Sequence, residues 1–418
     1  MKKIFIPLLF LFFVNQNLNK LNAEEINIGI VLGFSGPTEK IVKNMTLSAD
    51  LAFNEALNSE SFIKNKKLKK IKVDTKCNKS NIKEINNELL QKEIVAILGA
   101  ACPGISESIL LNVANKKNIP IISPAASSST LTMIDDKKLF FRTIPSNKRD
   151  AEVLADITKD RGIKSLAITY LDTNYNKEFE INYIRALKKN EIRITINIPH
   201  EPNKKDYSEE ASLIAAAGGD AVAIISEVEL GGKEILQALI DSGTYKKFVF
   251  SDRMIDYEIL KNIDNELDGS FGLIPGSNSK NLNIFYKIAK KNKIDPSSPF
   301  VSETYDATSI LLLALQKINY NPGKSLTDGI MSVSNSPGIK IYAGELKKGL
   351  KLIQKGRKIN YEGVTNVELD SNGETYGSFL EKEIRKRKFR TKKQRWLLTN
   401  SCFFSKGIFF VLLNSYIL

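Results

Sequence analysis

From Glu25 onward, short apolar runs alternate with amphipathic stretches, and this alternation limits the fold more than any other feature of the chain. INIGIVLGF (26–34) reads as a buried strand, followed by a helix at about 43–57 centred on LSADLAFNEAL. IKVDT, a helix near 81–92, IVAILGA, a helix from about 104 to 117, IPIIS and LFFRTIPS continue the series. Strands separated by helices imply βαβ units, because a parallel neighbour is reached only through a crossover that packs on the sheet. Five such strands fit one doubly wound lobe.

A second series begins at SNKRDAEVLADITKDRG (146–162), where Ser146 is placed as a helix N-cap. SLAITYLD, a helix at 177–189, ITINIP, a helix at 208–217, DAVAIISE, a helix at 232–242 and KFVFSD follow. Gly162, Gly218-Gly219 and Gly243 mark helix ends. The predicted fold class is α/β, with two doubly wound parallel-sheet lobes, and residues 24–381 are enough for two full cores. After SFGLIPGS (270–277) come IFYKIAKKNK and ETYDATSILLLALQKI (303–318), the latter apolar on nearly every side and so packed inside a lobe. A β-rich stretch, YEGVTNVELDSNGETYGSF, follows. This later material is expected to return to the first lobe and finish near the second, so that at least two chain crossings form a hinge. The assignment is lobe 1 at 24–145 plus about 276–345, and lobe 2 at 146–275 plus about 346–381.

The two ends of the chain read differently. Residues 1–23 carry Lys2 and Lys3, an apolar run from Ile4 to Val14, and Leu21-Asn22-Ala23 before Glu24. That is the pattern of a cleaved secretory signal, its apolar run too short to be a permanent membrane span, so a periplasmic mature chain is expected. In 382–418 a basic cluster precedes an apolar run interrupted by Asn400, Ser401, Ser405, Lys406, Asn414 and Ser415. A membrane helix there would leave the basic cluster on the wrong side. A disordered extension or a sequence artefact is the expectation for this tail. Of the formal charge of +14, residues 1–23 hold +3 and 382–418 hold +9, leaving +2 on the body. A body so close to neutral argues against nucleic acid as a partner.

Catalytic signatures are missing. His200 is the single histidine and sits in NIPHEPNKKD, which reads as an exposed polar turn. There is no G-x-S-x-G elbow, no Walker A and no G-x-G-x-x-G, and one histidine makes a His/Cys zinc site improbable. The chain is therefore expected to be neither an enzyme nor a cofactor protein; a hydrolase using His200 is the weakest alternative. Cys77 follows IKVDT and Cys102 follows IVAILGAA, so two adjacent parallel strands could end side by side. In an oxidising compartment the two cysteines make a credible disulfide, the alternative being two unrelated thiols, with Cys402 left over.

Polar residues do gather at the carboxyl ends of strands, where open α/β sheets bind ligands. IISPAASSSTLT (121–132) offers main-chain N–H groups with the hydroxyls of Ser127, Ser128 and Thr130, an anion cradle or simply a capped serine-rich turn. Phe34 and Ser35, then Gly104 and Ser106, are the other first-lobe candidates. In the second lobe they are Asp172 and Tyr175, Glu227 and Glu229, and Asp252-Arg253. Hydroxyls on one lobe and carboxylates with an aromatic on the other suit a zwitterion.

INIGIVLGFSGP, the Cys77/Cys102 spacing, LGAACPGIS, IPIISPAASSSTLT, LFFRTIPSN, Asp206-Tyr207, AGGDAVAI and ETYDA occur in the order of one family. The body, about 25–380, resembles the type I periplasmic solute-binding proteins, in particular the leucine/isoleucine/valine-binding branch that serves ABC importers. The resemblance implies two lobes joined by three crossovers that close on one ligand, and a Cys77–Cys102 disulfide. It also implies a carboxylate site at Ala126, Ser127 and Ser128 with the segment at Gly104 contributing, an aromatic at Tyr175, and an ammonium acceptor at Asp252. A further position, usually aromatic, falls within Glu227–Glu229. Two departures stand out: Pro103 replaces a ligand-binding serine, and acids occupy 227–229. They argue against a purely aliphatic ligand, the alternatives being a more polar or cationic amino acid or an amide. The expected partners are a small molecule and the permease subunits of an importer, bound by a monomer; a sensory module of the same fold is the alternative.

Overall fold

A computed structural model of the chain describes residues 24–63, 66–102, 104–261, 265–277 and 279–395. The expected signal segment, Pro103 and Cys402 lie outside these residues.

Lobe 1 is built on five parallel strands, β1 (Glu24–Leu32), β2 (Lys66–Asp74), β3 (Ala96–Gly99), β4 (Ile121–Ser123) and β5 (Phe140–Arg142), in the order β2-β1-β3-β4-β5. The inner strands β3 and β4 are buried at every position, as a sheet covered on both faces requires. At the edge, β2 alternates lysines into solvent, which discourages pairing with another chain. One face carries the helices Glu39–Leu57 and Val301–Asn319. The second of these is buried from Val301 to Gln316 at every position but Glu303, close to the all-round burial its sequence predicts.

Lobe 2 uses β6 (Ser165–Leu171), β7 (Arg193–His200), β8 (Ala221–Ile225), β9 (Phe248–Phe250) and β10 (Phe271–Pro275) as parallel strands. A small parallel pair, β11 (Ile339–Tyr342) and β12 (Ile359–Gly363), belongs to lobe 1. Two final strands, β13 (Phe379–Ile384) and β14 (Phe389–Arg395), extend the lobe 2 sheet antiparallel to give β14-β13-β10-β9-β8-β6-β7. The two-lobed α/β expectation is met.

The chain passes between the lobes at 143–146, after Pro275 and at 370–378. Two boundaries differ from expectation. Residues 346–369 stay in lobe 1, because Leu346, Leu350 and Ile353 form an apolar stripe that packs into its core with Ile359, Tyr361 and Val367. Residues 382–395 are ordered strand rather than tail. Glu381 and Glu383 on β13 are buried against Arg161, with Arg395 closing on Glu381 from β14. Basic residues that read as a solvated run thus pair with a buried acid row; residues 396–418 lie outside the described part. No helix among the described residues is long and apolar enough to cross a membrane.

Cys77 and Cys102 are disulfide-bonded with Cα atoms 5.6 Å apart. Their strands are not neighbours, however: β2 and β3 flank β1, so the bridge spans the end of β1. In the chain-entropy model a loop of this size contributes about 3 kcal/mol.

Candidate functional site

The loop after β4 is set from behind. Ser123 is fully buried; its hydroxyl donates to the carbonyl of Ala100 (2.7 Å) and accepts from the amides of Ala125 (3.3 Å) and Ala126 (3.0 Å). Arg142, at the end of β5, is completely buried and donates to the carbonyls of Ala126 (3.2 Å) and Ser128 (2.7 Å) and to Thr132 Oγ1 (2.8 Å). It also forms an ion pair with Glu374 on the third crossing. With the carbonyls drawn inward, the amides of Ser127 and Ser128 are left donating to no protein group among the described residues. The next turn is pinned by Asn147, whose amide donates to the Ser127 carbonyl (2.7 Å) and whose Oδ1 accepts from the Ser129 amide (3.1 Å).

Lobe 2 answers with charge. Tyr175 opens the helix Asn174–Lys189, placed by the N-cap Thr173, and its hydroxyl lies 3.2 Å from Ser127 Oγ across the cleft. The Arg253 guanidinium stacks on the Tyr175 ring, 4.1 Å from its centroid, and donates to Glu227 at 2.8 Å. Burial and the negative charge of Asp252 hold the Tyr175 phenol protonated well above its usual range. Asp252 follows β9, and burial raises its pKa against the partial relief given by Arg253. Asp150 lies in the first turn of the helix Asn147–Asp160 with 1% of its surface exposed, and its Oδ1 meets no hydrogen-bond donor among the described residues. Burial, then Asp252, drives its pKa well above the usual carboxylate value, with Arg142 and Arg253 opposing. Asp150, Asp252 and Glu227 thus gather around Arg253, with Arg142 also acting on Asp150 from lobe 1.

A second set of contacts joins the lobes. Glu178, one turn beyond Tyr175, accepts from Ser128 Oγ (2.8 Å), from the Thr130 amide (2.8 Å) and from Ser129 Oγ. Asn182, one further turn along, donates to Ser129 Oγ at 3.0 Å. The serine run therefore divides: Ser127 faces Tyr175, whereas Ser128, Ser129 and Thr130 face a carboxylate of the opposite lobe.

Of the expected residues, Ser127, Tyr175, Asp252 and Glu227 come together. Ala126 does not offer a ligand contact through its amide, which the buried Ser123 hydroxyl already uses. The Ser128 hydroxyl is engaged by Glu178, leaving its amide for an anion. Glu229 is exposed on a short turn and Asp172 pairs with Lys177, so neither belongs to the cluster. Gly104 starts the helical segment after Cys102 with φ +77, close to the Lys79 side chain. Ser106 Oγ donates to the Ala100 carbonyl (2.9 Å), and Ser35 Oγ donates to Asp74 (2.6 Å); both are structural contacts within lobe 1. Phe34 packs at the lobe 1 surface beneath Lys72. His200 is not an exposed turn residue. It ends β7 buried between Thr169 Oγ1 (2.8 Å) and Ser226 Oγ (3.0 Å), edge-on to Tyr207, and burial lowers its pKa to about 4. Ser146 occupies the N-cap position, though its side chain makes no capping bond. Sequence reasoning missed Asp150, Glu178 and Arg142. Only Arg142 carried a signal: a guanidinium ending an apolar run has to be paired once buried. No group of three or more metal-ligating side chains occurs among the described residues.

Residues 44–379 match the family described as the receptor family ligand binding region. The chain belongs to that family. It is 21% identical to the chemotactic signal transduction system substrate-binding protein BasB of Halobacterium salinarum, over 92% of both chains. It is 23% identical to glutamate receptor 3.7 of Arabidopsis thaliana across 81% of this chain, but it spans only 37% of that receptor. Among solved structures, an ABC transporter substrate-binding protein from Desulfitobacterium hafniense in complex with Leu superposes with a TM-score of 0.66 at 20% identity. That match covers 88% of this chain and all of the other. The fold is that of the type I periplasmic binding proteins, as the sequence resemblance implied, and both family and fold are those of ligand-binding proteins.

Proposed function

We propose that the protein is an exported receptor that captures a free amino acid, or a closely related small carboxylate or amide, between its lobes and delivers it to an ABC importer. The observation that carries this reading is the pairing of unlike chemistries across the Ser127–Tyr175 contact. On one side are the unused amides of Ser127 and Ser128 with the Ser127 hydroxyl. On the other are Asp252 and the unpaired Asp150. A carboxylate fits the first and an ammonium the second, so an α-amino acid satisfies both at once. Uncompensated buried carboxylates are costly, and a ligand cation between them recovers that cost only when the lobes meet. Closure then follows from binding, with the three crossings as the hinge and no catalytic group required. The signal-like first residues, the disulfide and the fold shared with an ABC substrate-binding protein support export and import.

A thermal-shift screen of amino acids, amides and short carboxylates tests the reading. A ligand at a hundred times its Kd adds about 2.7 kcal/mol to stability and raises the melting temperature by several degrees. No shift with any member of the panel would overturn it. A second reading, a sensory receptor of the same fold, is favoured by the chemotaxis protein that matches over 92% of both chains. Neighbouring permease and ATPase genes support import, whereas a neighbouring transducer gene supports sensing.

A further inference from the structure

An α-carbon presents three functional groups, and the amino-acid reading on which this inference rests accounts for two of them. The side chain is left for Arg253 and Glu227, which adjoin the Tyr175 ring. We propose that this pair reads the ligand side chain and selects a carboxamide, making glutamine or asparagine the preferred ligand.

The geometry supplies one donor beside one acceptor. Arg253 Nη1 donates to Glu227 Oε1 at 2.8 Å, while Glu227 Oε2 and the other guanidinium N–H groups bond nothing among the described residues. Both side chains keep part of their surface exposed, 35% for Arg253 and 26% for Glu227. The guanidinium covers the Tyr175 ring, whose hydroxyl reaches Ser127, which sets the pair one aromatic ring away from the carboxylate donors. The position of Glu227 is held by its own turn. Its carbonyl accepts from the amides of Leu230 and Gly232 (both 3.1 Å), and a Cβ on Gly232 would come within 2.7 Å of that carbonyl.

A carboxamide answers such a pair with its carbonyl on Arg253 and its NH2 on Glu227, adding no charge. A side-chain carboxylate would gain Arg253 but face Glu227; an ammonium would do the reverse. An aliphatic side chain would desolvate both groups and pair neither, and sites built around hydrogen bonds reject such analogues strongly.

Calorimetric titration of the chain at pH 7 with L-glutamine, L-asparagine, L-leucine, L-glutamate and L-lysine tests this. Glutamine or asparagine should bind at least about tenfold more tightly than the other three. The Glu227→Leu/Arg253→Leu variant, which removes both charges together, should reverse the order of amide and leucine. If that variant does not melt cooperatively, Glu227→Gln serves instead, and it should shift preference towards glutamate because the repelling charge is gone. Leucine equal to the amides, a charged amino acid binding most tightly, or an unchanged order in the folded variant would each overturn the inference and leave the amino-acid reading standing. Binding of none of the five would overturn the inference, and the wider thermal-shift panel would then decide the amino-acid reading.

Discussion

Lobe 1 brings to the cleft a loop whose polar groups are neutral and whose shape is fixed from behind by Ser123 and by the buried Arg142–Glu374 pair. Lobe 2 brings Asp150, Asp252 and Glu227 with Arg253 as its own guanidinium, and leaves Asp150 Oδ1 without a hydrogen-bond donor among the described residues. The first surface pairs its charges, Arg142 with Glu374, whereas the second leaves a buried carboxyl oxygen unpaired. On the amino-acid reading proposed above, the lobe 1 cradle would give direction, and the unpaired buried carboxyl of lobe 2 would give a ligand cation its partner.

The comparison is most easily broken from behind lobe 1. Arg142→Met would strand Glu374 without its partner and release the carbonyls of Ala126 and Ser128. Removing one member of a buried ion pair typically costs 3–5 kcal/mol, to be read from urea unfolding. Arg142→Met combined with Glu374→Leu should recover much of that stability without restoring ligand affinity, since the loop would no longer be held. A loss well under about 1 kcal/mol in the single variant would mean that the cradle is set by something else.

A smaller effect should separate the two ends of the serine run. Ser127→Ala removes a hydroxyl at the Tyr175 side and should weaken ligand binding by about tenfold, equivalent to about 1.4 kcal/mol. Glu178→Ala removes the contact across to Ser128, Ser129 and Thr130 and should act on closure instead, raising the radius of gyration of the ligand-free protein measured by solution X-ray scattering. Identical scattering from wild type and Glu178→Ala would show that Glu178 does not hold the lobes together.

Which parts were legible in the sequence follows from what is local. The strands and helices are encoded by apolar period, and the lobes by repetition of βα units, so both could be read directly. Ser127, Tyr175 and Asp252, which the structure brings together, could be named because they follow strands at the carboxyl edge of a parallel sheet. Asp150 could not be found that way: an acid in the first turn of an amphipathic helix is the usual partner of a helix dipole, and nothing local to the helix marks it as buried. His200 misled for the opposite reason, since a polar segment folds back and places Tyr207 over its ring. The helix Leu346–Gln354 displays a clear apolar face, but nothing in that face says which lobe it covers. FRTKKQR was hidden because a solvent-facing edge strand has no need of apolar alternation.

The central claim is that lobe 2 holds the ligand cation with Asp150. Calorimetry of wild type and Asp150→Asn, using the amino acid that raises the melting temperature most, tests it directly. A hydrogen bond to a charged group contributes about 1.5–3 kcal/mol, so Kd should rise by about 10- to 100-fold. Unfolding stability should stay level or increase, because a buried unpaired carboxyl is gone. The raised pKa adds a sign: wild-type affinity should grow with pH as Asp150 ionises, and the variant should lose that part of the dependence. An unchanged Kd in a folded Asp150→Asn protein would contradict the account.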